Sequence, residues 1–393
     1  MSTGEIRIGA LATLVGPYAS GGQDGMRGLD MAVSEVGGKI GDKTITVVKE
    51  STNAMPEDAE AMAEYLLDQA GVDFLIAPLS GNEGLALRDY AKTRPETTFI
   101  NGVAGAQDMT LRNPATNFFN FTTNGVQWMA GLAEYVYDIQ GYRRVATLAE
   151  DYSYPYGQVA GFTLQFCRIG GKVIDRFWVP LGTTDYQSVI DAMPDEVDAI
   201  FVALGGTDAV NFLKQYDEIG GTKPLIGGTI TIDQTVLSTR GRLSERLVGM
   251  ASSGPMADSN PSPMWQQFVS QYRKQYPNGF ASPSLFCWGY YVNTKAALLG
   301  LQRVEGDLSD GQARFQALLK VLEFNTPTGP VKLDHNRQAI ANNFLTVVDK
   351  RRDGSLYNKL VRIVPNVNQT LGIPEDEYLK IGPFDRDNPP ICP

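Results

Sequence analysis

Val72-Asp73-Phe74-Leu75-Ile76-Ala77-Pro78-Leu79-Ser80-Gly81-Asn82-Glu83 can be laid over Val197-Asp198-Ala199-Ile200-Phe201-Val202-Ala203-Leu204-Gly205-Gly206-Thr207-Asp208. Each stretch reads as a continuous apolar run, then a turn of small residues, then a polar residue fit to cap a helix. A second pair follows at nearly the same offset, Phe99-Ile100-Asn101-Gly102 against Leu225-Ile226-Gly227-Gly228. Four identities in twelve positions carry little alone. Two matched segments, in one order and at similar spacing, imply two lobes of one design.

Around the first of these stretches, strand and helix patterns alternate. Glu5 to Leu11 and Thr44 to Val48 read as strands, and Met26 to Val36 between them carries Met26, Leu29, Val33 and Val36 at helical spacing. Pro56 stands at a first helical position with Glu57 and Asp58 behind it, favourable to the helix dipole. Ala59, Met62, Ala63, Leu66, Leu67 and Ala70 then follow the helical stripe until Gly71. This rhythm predicts an α/β chain with two doubly wound parallel-sheet lobes. Ligands of such sheets bind beyond the carboxyl ends of the strands, where small-residue turns and helix N-termini expose N–H groups. Two such sheets facing each other would put both sets of turns on one cleft, suited to an anion.

The 393 residues carry 34 Lys plus Arg against 44 Asp plus Glu, a formal charge of -10. Such a surface repels phosphate backbones and anionic lipid, so no nucleic-acid partner and no peripheral membrane role is expected. No apolar run reaches the roughly 18 residues of a membrane span. Strand-like Ile6-Arg7-Ile8 begins almost at Met1 with no leader before it, so the expected form is cytosolic, or mature with its leader removed or replaced. Cys167, Cys287 and Cys392 show no CxxC pattern, and two buried thiols with a third in the tail are expected rather than a disulfide. The single histidine, His335, falls where a strand enters a turn and is expected to be structural or at the surface.

Enzyme chemistry finds little footing. The first strand is followed by Gly9-Ala-Leu-Ala-Thr-Leu-Val before Gly16, not by G-x-G-x-x-G, and neither a P-loop nor a G-x-S-x-G elbow occurs. One histidine with no elbow serine makes no triad, and no metal-ligand spacing is present. No enzyme, no cofactor and no metal site is expected. A ligand-sensing receptor domain of the same fold is kept as a further alternative, although regulators of that kind carry an attached signalling or DNA-binding segment and none is read in these residues.

Ile6-Arg7-Ile8-Gly9 leading through Leu14-Val15-Gly16-Pro17-Tyr18-Ala19 to Gly25, Asp151 with Tyr156-Gly157, and Thr328-Gly329-Pro330-Val331-Lys332-Leu333-Asp334 resemble motifs of one family. It is the type I periplasmic solute-binding proteins of ABC transporters, specifically the branched-chain amino acid (leucine/isoleucine/valine) binding group. Leu333 stands where that family has Phe. The resemblance implies two lobes joined by three crossovers, expected near Phe121–Asn124, Ala251–Gly254 and Thr326–Pro330. Residues 1–122 with 252–328 would form the N-terminal lobe and 123–251 with 329–365 the C-terminal one. Residues 366–393, with Pro374, Pro383, Pro389, Pro390 and Pro393, would wrap the surface as a tail. It further implies a monomeric, Venus-flytrap trap in the periplasm that closes on a small organic acid and is read by membrane permease subunits.

Site residues carry over by position. Ser80, Gly81 and Asn82 match the family's Ser-rich carboxylate cradle, and Val103, Ala104 and Gly105 match its next turn, where Gly105 removes a hydroxyl. Tyr18, Tyr154 or Tyr156, Gly206 or Thr207, and Thr229 fall at ligand-facing positions. Thr229 departs from the family: amino acid binders carry a Glu here for the substrate ammonium, and this chain reads Gly227-Gly228-Thr229-Ile230-Thr231. A buried ammonium without a carboxylate partner is costly, and Asp233 would replace it only if the loop bends inward. Tyr18, Tyr152, Tyr154, Tyr156, Phe286, Trp288, Tyr290 and Tyr291 would add flat faces with polar tips near the cleft, although helical packing accounts for Phe286 and Trp288. The expected cargo is a carboxylate without an amine, an aromatic acid such as a benzoate or phenylpropanoid derivative, with a branched-chain or other amino acid as the alternative.

Overall fold

The computed structural model describes residues 4–239, 242–390 and 392; Pro393 of the expected tail lies outside them. The chain divides into two units, one running to Thr123 and including Pro283–Ala341, the other Asn124–Ser282 with the residues from Asn342 onward. In the first unit β1 (Glu5–Thr13), β2 (Lys39–Ile40), β3 (Lys43–Thr52), β4 (Phe74–Ile76), β5 (Phe99–Ile100) and β6 (Phe118–Phe119) form a sheet in the order β2-β3-β1-β4-β5-β6. All neighbours in it are parallel except the β2–β3 edge pair. In the second unit β7 (Arg144–Glu150), β8 (Lys172–Val179), β9 (Ala199–Ala203), β10 (Leu225–Gly227) and β11 (Ala251–Gly254) run β8-β7-β9-β10-β11, again parallel.

The two parallel cores thus share one strand order, β3-β1-β4-β5-β6 and β8-β7-β9-β10-β11. This is the doubly wound pattern whose winding reverses beside the first strand, and the turns after the two strands flanking that reversal are where ligands sit. In the first unit those turns follow β1 and β4, and in the second they follow β7 and β9.

The twelve-residue echo is chemical as well as topological. The Arg7 amide donates to the Asp73 carboxylate at 2.7 Å and the Asp73 amide to the Arg7 carbonyl at 2.7 Å. In the second unit the amides of Arg143 and Arg144 donate to Asp198 at 2.7 and 2.9 Å, and the Asp198 amide to the Arg144 carbonyl at 2.7 Å. Each aspartate therefore clasps the start of its unit's first strand. Each strand is apolar because it is covered on both faces. Leu11, Leu66, Leu75, Leu87 and Phe99 build one core, and Leu148, Ile200, Val202, Phe212 and Leu225 the other.

The remaining strands are β12 (Phe324–Thr326), β13 (Gly329–Leu333), β14 (Ala339–Lys350) and β15 (Leu356–Val367). β12 and β13 form a hairpin in the first unit, and β14 pairs antiparallel with β11 through residues 344–347 in the second. The chain changes unit at 123/124, 282/283 and 341/342. Two of the segments read from the sequence as crossovers have regular structure of their own. Ala251–Gly254 is strand β11, fully buried between β10 and β14, and Thr326–Pro330 is the turn of the β12–β13 hairpin. Small polar residues that read as a linker are here a strand whose faces are covered.

Cys167 and Cys392 are joined in a disulfide with their Cα atoms 5.1 Å apart, well within the usual range. This corrects the expectation of three thiols without a disulfide; Cys287 stays outside the bond and is buried. His335 is exposed in the turn before Gln338. Among the described residues no helix is long and apolar enough to cross a membrane.

Candidate functional site

In the first unit the turn after β4 runs into the helix Gly81–Lys92. Ser80 and Glu83 cap that helix reciprocally, the Ser80 amide donating to the Glu83 carboxylate at 2.9 Å. The Ser80 hydroxyl donates to the Ala54 carbonyl at 3.2 Å. Glu83 is fully buried, and burial raises its carboxyl above the usual range, against hydrogen bonds that include one from Thr13. The expected hydroxyl donor, Ser80, is thus already committed to the protein. Gly81 and Asn82 begin the helix, where amides have no acceptor within it; Gly81 is buried and Asn82 partly exposed.

The next turn, after β5, is held just as firmly. The Val103 amide donates to Pro78 at 3.0 Å, and Asn101 both accepts from the Ala104 amide at 3.1 Å and donates to its carbonyl at 2.9 Å. Asn101 in turn donates to Asn120 at 2.9 Å, Asn120 to Gln338 at 3.0 Å, and Gln338 to the Thr122 carbonyl at 2.8 Å. Val103, Ala104 and Gly105 are all buried. Tyr18 is buried with its ring against Phe286, 6.1 Å between centroids. Tyr290 is buried, its hydroxyl donating to the Leu11 carbonyl, and Tyr291 donates to Glu35 at 2.6 Å. The aromatic residues of the helix Leu285–Arg303 are mainly packing residues of this unit.

In the second unit the helix Ser153–Arg168 begins just beyond β7 and carries Tyr154 in its first turn. Tyr154 is 4% exposed, with its ring edge-on to Trp128 at 5.5 Å. Its hydroxyl comes close to the Thr229 hydroxyl and the Ile230 amide without reaching hydrogen-bonding geometry with either. Burial, and then the nearby charge of Glu150, push this hydroxyl well above the ordinary tyrosine range, so it stays a neutral donor. Tyr156 faces elsewhere: it donates to Asp151 and packs edge-on against Trp178 at 5.0 Å.

Thr229 is 7% exposed and fully engaged. Its hydroxyl donates to the Ser253 carbonyl at 2.7 Å and accepts from Gln158 at 3.0 Å, while its amide donates to Gln158 at 2.8 Å. Gly228 makes this possible: a Cβ there would stand 2.7 Å from the Gln158 oxygen. Asp233 caps the short helix that follows by accepting from Thr235 at 3.0 Å. Of the pair at the turn after β9, Gly206 is buried at a φ of 49°, a conformation that disfavours side chains, whereas Thr207 is exposed.

Three residues of this turn cluster had no local signal in the sequence: Glu150, Gln158 and Trp128. Glu150 is fully buried at the end of β7 and accepts from the Gly205 amide at 3.0 Å. Gln158 lies four residues beyond Tyr154, on the same face of the helix. Among the described residues no group of three or more His, Cys, Asp or Glu could hold a metal ion.

Two doubly wound units of one strand order, each with rigid small-residue turns at its winding reversal, define a ligand-binding protein. Residues 5–354 match the periplasmic binding protein family, and the chain belongs to it. It is 26% identical over 364 residues to the Leu/Ile/Val-binding protein homolog 6 of Brucella melitensis, covering 91% of each chain. An ABC transporter substrate-binding protein from Sphaerobacter thermophilus superposes with a TM-score of 0.83 at 27% identity, over 93% of this chain and 99% of that one. A solute binding protein of an ABC transporter from Rhodopseudomonas palustris BisB5, solved with 3,4-dihydroxybenzoic acid, superposes at 0.84 with 23% identity, over 93% and 99%. That last likeness is one of fold.

Proposed function

We propose that this chain is the extracytoplasmic solute-binding component of an ABC importer, not an enzyme, and that it takes a small carboxylate without an amine, of the benzoate or phenylpropanoid kind. The observation that carries the cargo is Thr229. Where an ammonium would need a carboxylate, a hydroxyl stands that is already shared between Ser253 and Gln158. Beside it the Tyr154 hydroxyl is a neutral, buried donor with no partner in the protein, and a ligand oxygen would satisfy it. The dihydroxybenzoate bound by the Rhodopseudomonas protein supports this reading. Gly206 and Thr207 are the other proposed contacts within this unit, and Tyr18, Gly81, Asn82 and the turn 103–105 are the candidates of the first unit. Tyr156, tied to Asp151, is left out of direct contact.

The role implies permease subunits as partners and a monomer working in the periplasm. The Cys167–Cys392 disulfide supports an oxidising compartment. One observation favours amino acids instead: Glu150, buried at the end of β7, is near enough to Tyr154 to disfavour its ionisation, so a carboxylate is at hand for an ammonium. The Brucella relative's name points the same way. A thermal-shift panel of benzoate, 4-hydroxybenzoate, 3,4-dihydroxybenzoate, leucine and isoleucine separates the readings, since a true ligand raises Tm. Shifts with the aromatic acids and none with leucine or isoleucine are expected; the reverse outcome assigns the site to amino acids.

A further inference from the structure

Both ends of the helix Ser153–Arg168 are held by one short piece of the C-terminal tail. At the start of the helix, Asp151 accepts from the Tyr156 hydroxyl and, through its other oxygen, from Arg386 at 2.9 Å. At its last turn Cys167 is bonded to Cys392. Between these points Arg176 of β8 donates to the Pro390 carbonyl at 2.7 Å, and the Val173 amide reaches the Cys392 sulfur at 3.5 Å. Ahead of the prolines, Asp385 accepts from the amides of Asp387 and Asn388, each at 2.8 Å, and so fixes the turn that carries Arg386.

The lengths match a strap drawn out along the helix. A helix of 16 residues is about 24 Å long. The steps from Arg386 to Cys392 reach at most about 20 Å of backbone, with two long side-chain links closing the remainder. Pro389 and Pro390 favour extended chain and keep it stiff. An isolated exposed ion pair like Arg386–Asp151 contributes little. A partner tethered a few residues from a covalent anchor, however, acts at an effective concentration on the order of millimolar or more.

We propose that Asp151, Tyr156 and Arg386 are positioning residues, and that with the Cys167–Cys392 bond they strap the first turn of this helix so that Tyr154 is preset for ligand. Tyr154 and Tyr156 flank Pro155 in that turn, so the side chain held by the strap orients the one that faces Thr229. A turn ordered before binding costs the ligand nothing to order. This rests on the reading of Tyr154 as a ligand contact.

Amide hydrogen exchange and 4-hydroxybenzoate titration of the full chain test it, in Arg386→Ala, Arg386→Lys, Tyr156→Phe and Cys392→Ser. Exchange at residues 156–160 is expected to quicken roughly tenfold in Arg386→Ala and Cys392→Ser, with Arg386→Lys restoring most of the protection. The dissociation constant should rise roughly three- to tenfold in step. Should Cys392→Ser fail to fold, Tyr156→Phe, which removes a single hydroxyl, decides in its place. Unchanged exchange in Arg386→Ala and Tyr156→Phe overturns the proposal, as does faster exchange with unaltered affinity. Should the unsubstituted protein not bind 4-hydroxybenzoate, the ligand reading falls, and exchange alone decides the strap.

Discussion

Thr229 shows how one side chain can forbid as well as permit. Its hydroxyl holds Gln158 to Ser253, and its methyl group would lie 2.4 Å from a Cβ at residue 254, which is why glycine stands there. Thr229→Glu would break both hydrogen bonds and bury a charge beside Glu150 and Asp233. A stability loss of about 1–3 kcal/mol is expected in urea unfolding, with any thermal shift moving from benzoates towards leucine. Tyr154→Phe removes a buried hydroxyl that has no protein partner. The melting temperature should therefore hold or rise while aromatic-acid affinity falls roughly tenfold, the scale of one lost hydrogen bond. Asp208, the counterpart of Glu83 in the echo, has its carboxyl pushed up to about 6 by burial, against the Gly182 amide that favours the ion. The folded state thus binds this proton more tightly than the unfolded chain does. The resulting stability is present in full below about pH 4, where both states are protonated, and is lost as pH rises through 6. Asp208→Asn should be more stable than the parent at pH 7 and should flatten the slope between pH 4 and 6, as read from urea midpoints against pH.

Elements with a local pattern were legible in the sequence. The helix expected from Pro56 begins at Pro56, and the echo locates both β4 and β9, because an apolar run covered on both faces shows in one dimension. Passages between units have no periodicity of their own. Ala251-Ser252-Ser253-Gly254 reads as a linker and becomes a strand only because β10 and β14 flank it. The disulfide joins residues 225 apart, so nothing near either cysteine announced it. The site divided in the same way. Turn residues were visible, but whether their donors were spent depended on partners far along the chain, such as Ala54 for Ser80 and Gln338, through Asn120 and Asn101, for Ala104. Gln338→Ala should cost about 2–4 kcal/mol, since Thr110 and Asn120 each lose an acceptor inside the protein. Backbone exchange at 101–105 should quicken with it.

At the scale of the whole molecule, each unit has its own apolar core, and both cysteines of the disulfide belong to the second. Three of the four tryptophans, Trp128, Trp178 and Trp265, belong to that same unit, while Trp288 belongs to the other. Reduction with a thiol should lower stability there by about 2–4 kcal/mol. Tryptophan fluorescence should then report an earlier melt than far-ultraviolet circular dichroism, which averages both units; coincident shifts would mean the units unfold as one.

The paired clasps of Asp73 and Asp198 also bear on how such a chain could be rebuilt. Each ties its segment to the first strand through its own carboxylate and amide meeting backbone groups there, so the fastening needs no partner side chain. The twelve residues then behave as an interchangeable cassette. Residues 197–208 transplanted in place of 72–83 should dock in the foreign sheet provided Phe74, which packs on Phe315, is retained; its loss to alanine would cost about 3–5 kcal/mol. A gene that once doubled would have inherited two such cassettes, free to diverge at their tips while their roots stayed fixed.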